Sequence, residues 1–194
     1  MVFDRLIKAN LKLKTSKCSF LKQEIAYLGH TVKEGQVFPD KKNLDSIRKA
    51  LTPKSRKQVR SFLGLTGFYR KFILNYSKLA LPLIALTKET TTFVWTDKEQ
   101  TAFDNLKDCL TSEPFLALPD FTKPFSVCAD ASMFPLRAVL IQEDDSKFQH
   151  PLLFASRKLN DAEAKYSIVE LEVMAIVFAL NQFKNYLYSR HFIV

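Results

Sequence analysis

Residues 125–132 read Phe125-Ser126-Val127-Cys128-Ala129-Asp130-Ala131-Ser132, and their alternation decides the fold. Phe125, Val127 and Ala129 fall on one side, Ser126, Cys128 and Asp130 on the other, which is the two-residue period of a strand. Downstream, Arg137 to Gln142 and Pro151 to Ser156 read as two more strands, separated by the turn Glu143-Asp144-Asp145-Ser146. Ser167 with Glu170 forms a capping box that opens a long helix to about Tyr188. His191 to Val194 then begins a fourth strand. Strand–strand–strand–helix–strand is the opening of an α/β layer fold.

Upstream the period is helical. Thr96 and Glu99 make a second capping box, behind which Phe103, Leu106 and Leu110 point inward. Between that helix and Phe125, Pro114, Pro119 and Pro124 mark a linker-like connection. A helix is expected over about Ser55 to Asn75, with Val59, Phe62, Leu63, Phe68, Tyr69 and Phe72 as its apolar positions. Arg56, Lys57, Arg60, Arg70 and Lys71 cluster on its other side. Another helix covers about Lys78 to Thr87, and one opened by Pro39-Asp40 runs to about Ala50, ended by Pro53. Between Cys18 and Val37, short apolar runs punctuated by Gly29 and Gly35 have the signature of a β-hairpin. Residues 2–10 put Val2, Leu6 and Ile7 on one face, as at the end of a helix.

Composition narrows the class. Of the 194 residues 47% are hydrophobic and 12% aromatic, enough to bury a core, which argues against disorder. The longest apolar candidate, around Leu79 to Leu86, is interrupted by Pro82 and falls short of the roughly 18 residues of a membrane helix. No secretory pattern precedes it, so an intracellular protein, cytoplasmic or nuclear, is expected. Cys18, Cys109 and Cys128 are far apart and match no metal spacing, as reduced thiols would be. The net charge of +9 is uneven: residues 1–90 carry 19 Lys/Arg against 6 Asp/Glu, residues 91–194 carry 10 against 14. The basic half is the electrostatic footprint of a protein that binds a polyanion backbone.

Several ordered motifs then name a family. Ala9-Asn10-Leu11-Lys12-Leu13-Lys14, Ser16-Lys17-Cys18-Ser19-Phe20 and Tyr27-Leu28-Gly29-His30 resemble the end of the palm in gypsy-type long-terminal-repeat retrotransposon reverse transcriptases. Arg60-Ser61-Phe62-Leu63-Gly64-Leu65 and Phe68-Tyr69-Arg70-Lys71-Phe72-Ile73 resemble their thumb. Phe125 to Ser132, Ala155-Ser156-Arg157-Lys158-Leu159 and the run from Tyr166-Ser167 to Ile176 resemble the attached ribonuclease H. The fold implied is α/β (α+β): palm remnant with a primer-grip-like hairpin (1–38), helical thumb (39–90), connection helix and linker (91–123), and a truncated ribonuclease-H-like β-β-β-α-β domain (124–194). The parent activities implied are RNA-directed DNA synthesis and hydrolysis of the RNA strand of an RNA–DNA hybrid.

The resemblance also assigns residues. Leu28, Gly29 and His30 match the hairpin that grips the primer strand, where a glycine admits phosphate or sugar, although Gly29 also reads as an ordinary hairpin glycine. Gly64 and Phe68 lie four apart on one helix face and match positions that track the minor groove, while Phe68 equally suits a core. Lys54, Arg56, Lys57 and Arg60 suit phosphate neutralisation, or a solvated face. Asp130 and Glu172 match two carboxylates of the two-Mg²⁺ ribonuclease H site. Glu172, set among Leu171, Val173, Met174, Ala175 and Ile176, needs a metal, a base or water as partner. Glu170 is accounted for by its cap, and Asp144-Asp145 by its turn.

Departures from the pattern matter as much. The polymerase Tyr-X-Asp-Asp turn and the later ribonuclease H aspartates of the family lie outside the matched residues, so both active sites are expected to be incomplete and Mg²⁺ not stably held. Pro135 and Arg137 stand where the family has glycines and are expected to distort the approach to Asp130. A sheet without its further helices and fifth strand is expected to be poorly covered. Duplex or hybrid nucleic acid is the expected partner, with remaining Pol domains or a dimer partner besides, and no membrane. The rival readings are a retained, non-catalytic binding or scaffold protein and a pseudogene product.

Overall fold

The computed structural model describes residues 2–112, 114–131 and 135–194. Two antiparallel-rich sheets are joined by a helical layer, a mixed α/β architecture as expected. The first sheet is a meander of β1 (Glu24–Tyr27), β2 (His30–Lys33) and β3 (Gln36–Pro39). Two-residue turns connect the strands: Leu28 and Gly29 at φ 47° and 75°, Glu34 and Gly35 at 50° and 74°. Positive φ at both central residues is the type I′ geometry whose twist matches that of the strands. The single expected hairpin is therefore two hairpins sharing β2, and the apolar run Ser19-Phe20-Leu21 lies outside them. β4 (Leu116–Ala117) pairs with β3, Val37 facing Leu116, so the proline-marked connection contributes a strand instead of only a linker.

Helices α1 (Val2–Lys8), α2 (Lys41–Arg48) and α3 (Arg56–Phe68) follow the apolar periodicity. Asp40 caps α2 by accepting from the Lys42 amide, and Ser55 caps α3 by accepting from Gln58. The helix expected to reach Asn75 stops at Tyr69, passes through a 3₁₀ turn at Arg70–Phe72, and reverses at Asn75 in the left-handed region. The next helix divides at Ala80 into α4 (Tyr76–Leu79) and α5 (Leu81–Leu86), with Pro82 in the first turn of α5, where its missing donor is harmless. In α6 (Asp97–Thr111) the Thr96–Glu99 capping box is made in full. Its Phe103, 2% exposed, meets Phe62 of α3 at a 4.5 Å ring separation, and Leu106 and Leu110 are fully buried beside them. This is the first core.

The second sheet has the order β7-β6-β5-β8, from β5 (Phe125–Ala131), β6 (Pro135–Glu143), β7 (Gln149–Lys158) and β8 (Phe192–Ile193), the last parallel to β5. α7 (Ile168–Leu187), opened by the Ser167–Glu170 box, covers one face. Ala175, Ala179 and Phe183 of α7 are fully buried with Phe125, Leu136 and Leu140. The opposite face is better covered than expected, because the helical half supplies part of the cover. Phe154 of β7 packs into the first core, and the Ser77 amide donates to Ser156 Oγ at 3.0 Å. Gln142, buried near the end of β6, accepts from the Asp120 amide at 2.9 Å and donates to its carbonyl at 2.6 Å, fastening the connection to the end of that strand. No described helix is long and apolar enough to cross a membrane.

Because Phe103 touches both Phe62 and Trp95, Phe103→Ala should lower stability by about 3–5 kcal/mol, read as a fall in denaturation midpoint.

Candidate nucleic-acid interface and carboxylate site

The break in the helical segment at Tyr69 builds the first site. Tyr69 is fully buried, and its hydroxyl donates to the Gly29 carbonyl at 2.7 Å while accepting from Asn43 Nδ2 at 2.7 Å. The same carbonyl also accepts from the Asp40 amide at 3.1 Å. The Leu28-Gly29 turn is thus pinned to the end of α3 and the start of α2. Gly29 is required twice: by its φ of +75°, and because a Cβ would stand 3.0 Å from Phe68 Cε1. In this structure the close approach it permits is that of the Phe68 ring.

His30 lies among three rings, 5.3 Å from Phe68, 5.8 Å from Tyr69 and 5.8 Å from Phe72, the last nearly parallel. Its Nδ1 donates to the Leu28 carbonyl at 2.9 Å, the only role open to a nitrogen facing a carbonyl oxygen. Nε2 is buried with no protein partner among the described residues. Burial, and then the Lys71 charge, hold His30 below its ordinary value. Lys71 is itself pushed down by burial and stands 5.4 Å over the Phe72 ring.

Phe68 is 51% exposed, so it is a surface ring and the core reading does not hold. Gly64, one turn earlier on the same face, is exposed with open space where a Cβ would stand. Lys57 and Arg60 continue that exposed stripe toward the start of α3. The four basic residues are not one free cluster. Arg60 donates to the Thr87 carbonyl at 2.7 Å and Arg56 to the Thr91 carbonyl, tying α3 to the loop after α5. Lys54 and Lys57 are exposed. The structure brings Gly29 and His30 of the hairpin against Phe68, with Gly64 one turn away on the same helix face. Sequence reasoning missed Tyr69 as their anchor, since a ring at an apolar helical position carries no sign of a hydroxyl partner 40 residues away.

The second candidate site lies on β5. Asp130 projects on the face away from α7, because its neighbours Ala129 and Ala131 pack with Leu171 and Ala175. Its register partner across the ladder is Arg137, whose guanidinium donates to the carboxylate. Arg137 therefore does more than crowd the approach to Asp130: it binds it. Glu172 is exposed on α7, so water meets the requirement for a partner. Ser132, the last residue of the matched strand motif, lies outside the described residues. Among the described residues no three His, Cys, Asp or Glu side chains are grouped to hold a metal. Glu170 accepts from the Ser167 amide and hydroxyl, both at 2.8 Å, and these bonds hold its carboxyl below the usual range. Asp144 accepts from the Ser146 and Phe148 amides and contacts His150, as befits a turn residue.

Residues 95–194 match the RNase H-like domain found in reverse transcriptase, and the chain belongs to that family. It is similar along its whole length to retrovirus-related Pol polyproteins of Drosophila melanogaster: 43% identical to that from transposon 297 and 36% to that from transposon 412. The Tf2-3 transposon polyprotein of Schizosaccharomyces pombe is 35% identical over 97% of the chain. The chain spans only 18%, 16% and 14% of these relatives. The fold is shared with foamy viral protease-reverse transcriptase in complex with RNA/DNA hybrid, at TM-score 0.80 and 23% identity, covering 98% of this chain and 26% of that one. The double-stranded DNA complex of the same enzyme gives TM-score 0.80, covering 98% and 40%. The gypsy-type Pol resemblance is thereby confirmed.

Two outcomes follow from the hairpin anchor. Tyr69→Phe leaves Asn43 and the Gly29 carbonyl each short of a partner and should cost about 1–3 kcal/mol in denaturant unfolding. A histidine depressed in the fold takes its proton more readily when unfolded, so stability is full above the ordinary value of 6.5 and falls as pH drops below it. His30→Gln should flatten melting temperature against pH in that window.

Proposed function

We propose that this chain is the portion of a retrotransposon Pol polyprotein that holds duplex nucleic acid, an RNA–DNA hybrid or DNA duplex, beside the ribonuclease-H-like domain. In this reading residues 1–38 are the end of a palm, 39–90 a thumb, 91–123 a connection and 124–194 the ribonuclease-H-like part. RNA-directed DNA synthesis and cleavage of a hybrid's RNA strand are the parent activities of such polyproteins, and this chain by itself carries out neither.

The observation that carries the reading is the exposed stripe Lys57-Arg60-Gly64-Phe68, which ends against the Leu28-Gly29 turn. Cations at one end neutralise phosphates without reading sequence. Gly64 leaves room for a sugar edge, and the half-exposed Phe68 ring offers a flat apolar surface beside it. His30 and Tyr69 hold that ring from behind, so little conformational freedom remains to be lost on binding. A retained, non-catalytic binding protein would use the same surface, and the Arg137–Asp130 pair favours that second reading.

Fluorescence anisotropy with a labelled RNA–DNA hybrid across a salt series tests the interface. Lys54→Ala/Lys57→Ala, in which neither side chain has a hydrogen bond or ion pair among the described residues, should weaken binding and flatten the log K against log salt slope by about 1–2. Phe68→Ala should weaken binding roughly tenfold with the slope unchanged. Salt-independent binding, or affinity indifferent to all three residues, would remove the interface from α3.

A further inference from the structure

We propose that Arg137 takes the place of a metal ion on Asp130, so that this ribonuclease-H-like sheet is closed by an internal ion pair and does not receive a divalent cation there. The reading is independent of nucleic-acid binding by α3.

Magnesium requires near-octahedral oxygen ligation and gives up its water reluctantly, so its sites gather several carboxylates around one point. The residues present do not fit that demand. On the sheet face that carries Asp130, the ladder rows run Ser126–Ile141, Cys128–Val139–Phe154, Asp130–Arg137–Ser156 and Pro135–Lys158. Asp130 is the one acid in these rows among the described residues, and two cations, Arg137 and Lys158, share the face with it. Arg137 is the direct cross-strand neighbour, a position from which opposite charges meet without any backbone adjustment.

The pair is also held in place. The Arg137 side chain is 31% exposed and its Nε is buried without a partner among the described residues, so its stem lies along the sheet with the terminal nitrogen on Asp130. A guanidinium carries a permanent positive charge. A divalent ion approaching Asp130 therefore meets a fixed positive charge already in hydrogen-bond contact with the ligand it needs. Displacing it would leave a partly buried cation without its counter-charge. Asp130 is 61% exposed, so water reaches it freely; what is lacking is unneutralised negative charge.

Paramagnetic broadening by Mn²⁺, followed in amide NMR spectra of the full chain, tests the assignment. In the wild type, millimolar Mn²⁺ should leave residues 128–131 no broader than other exposed segments. Arg137→Gln, which keeps most of the stem and removes the charge, should broaden those residues selectively, with half-saturation at a concentration roughly tenfold lower. That broadening should vanish in Asp130→Asn/Arg137→Gln. Selective broadening at Asp130 in the wild type overturns the proposal, and so does an Arg137→Gln protein that gains none. Should the variant fold poorly, wild-type melting decides: a Mg²⁺-specific rise at matched ionic strength that Asp130→Asn abolishes also overturns it.

Discussion

A single buried hydroxyl organises the N-terminal half. Tyr69 joins three segments distant in sequence: the β1–β2 turn through the Gly29 carbonyl, α2 through Asn43, and the end of α3 through its own backbone. A phenol inside a core must find partners for its oxygen, and here it finds one donor and one acceptor. The helix stops at this residue, and the chain turns back through Arg70–Phe72. Phe72 then stacks on His30 at a 5.8 Å ring separation. The exposed ring of Phe68 and the open face at Gly64 are where they are because the next residue is buried and doubly bonded.

The C-terminal half is organised by a different economy of charge. Its acids are largely committed within the chain: Glu163 to Arg157 at 2.7 Å, Asp145 to Lys123 at 2.6 Å, Glu170 to its cap, Asp130 to Arg137. Surface ion pairs contribute little stability each, commonly under about 1 kcal/mol. Their effect is on availability. A carboxylate already paired offers less to a cation than a free one, and the strand that resembles a nuclease strand presents its aspartate in that state.

Features set by neighbours a few residues apart were legible in the sequence. Both capping boxes, the Asp40 cap and the alternation through Phe125 to Ala131 are of this kind, since each needs only local spacing. The family's motifs likewise named the hairpin and the exposed helical pair. What escaped depends on distant partners. β4 is two residues long and exists because β3 lies beside it; alone, the segment looks like a loop. The end of α3 was hidden because apolar spacing continues past Tyr69 into the 3₁₀ turn. Arg137 was visible as an intrusion, but its bond to Asp130 follows from ladder register, which one residue of slip would have reversed.

The amide of Ser77 reaching Ser156, and Phe154 seated among the helices, join the two halves through one edge strand. Close-packed interiors pass on displacement because they compress little. A duplex that pushed α3 aside would therefore shift β7, and with it the ladder carrying Arg137 and Asp130. If α3 takes a duplex as proposed, the edge strand becomes a lever between that contact and the register of a neighbouring sheet.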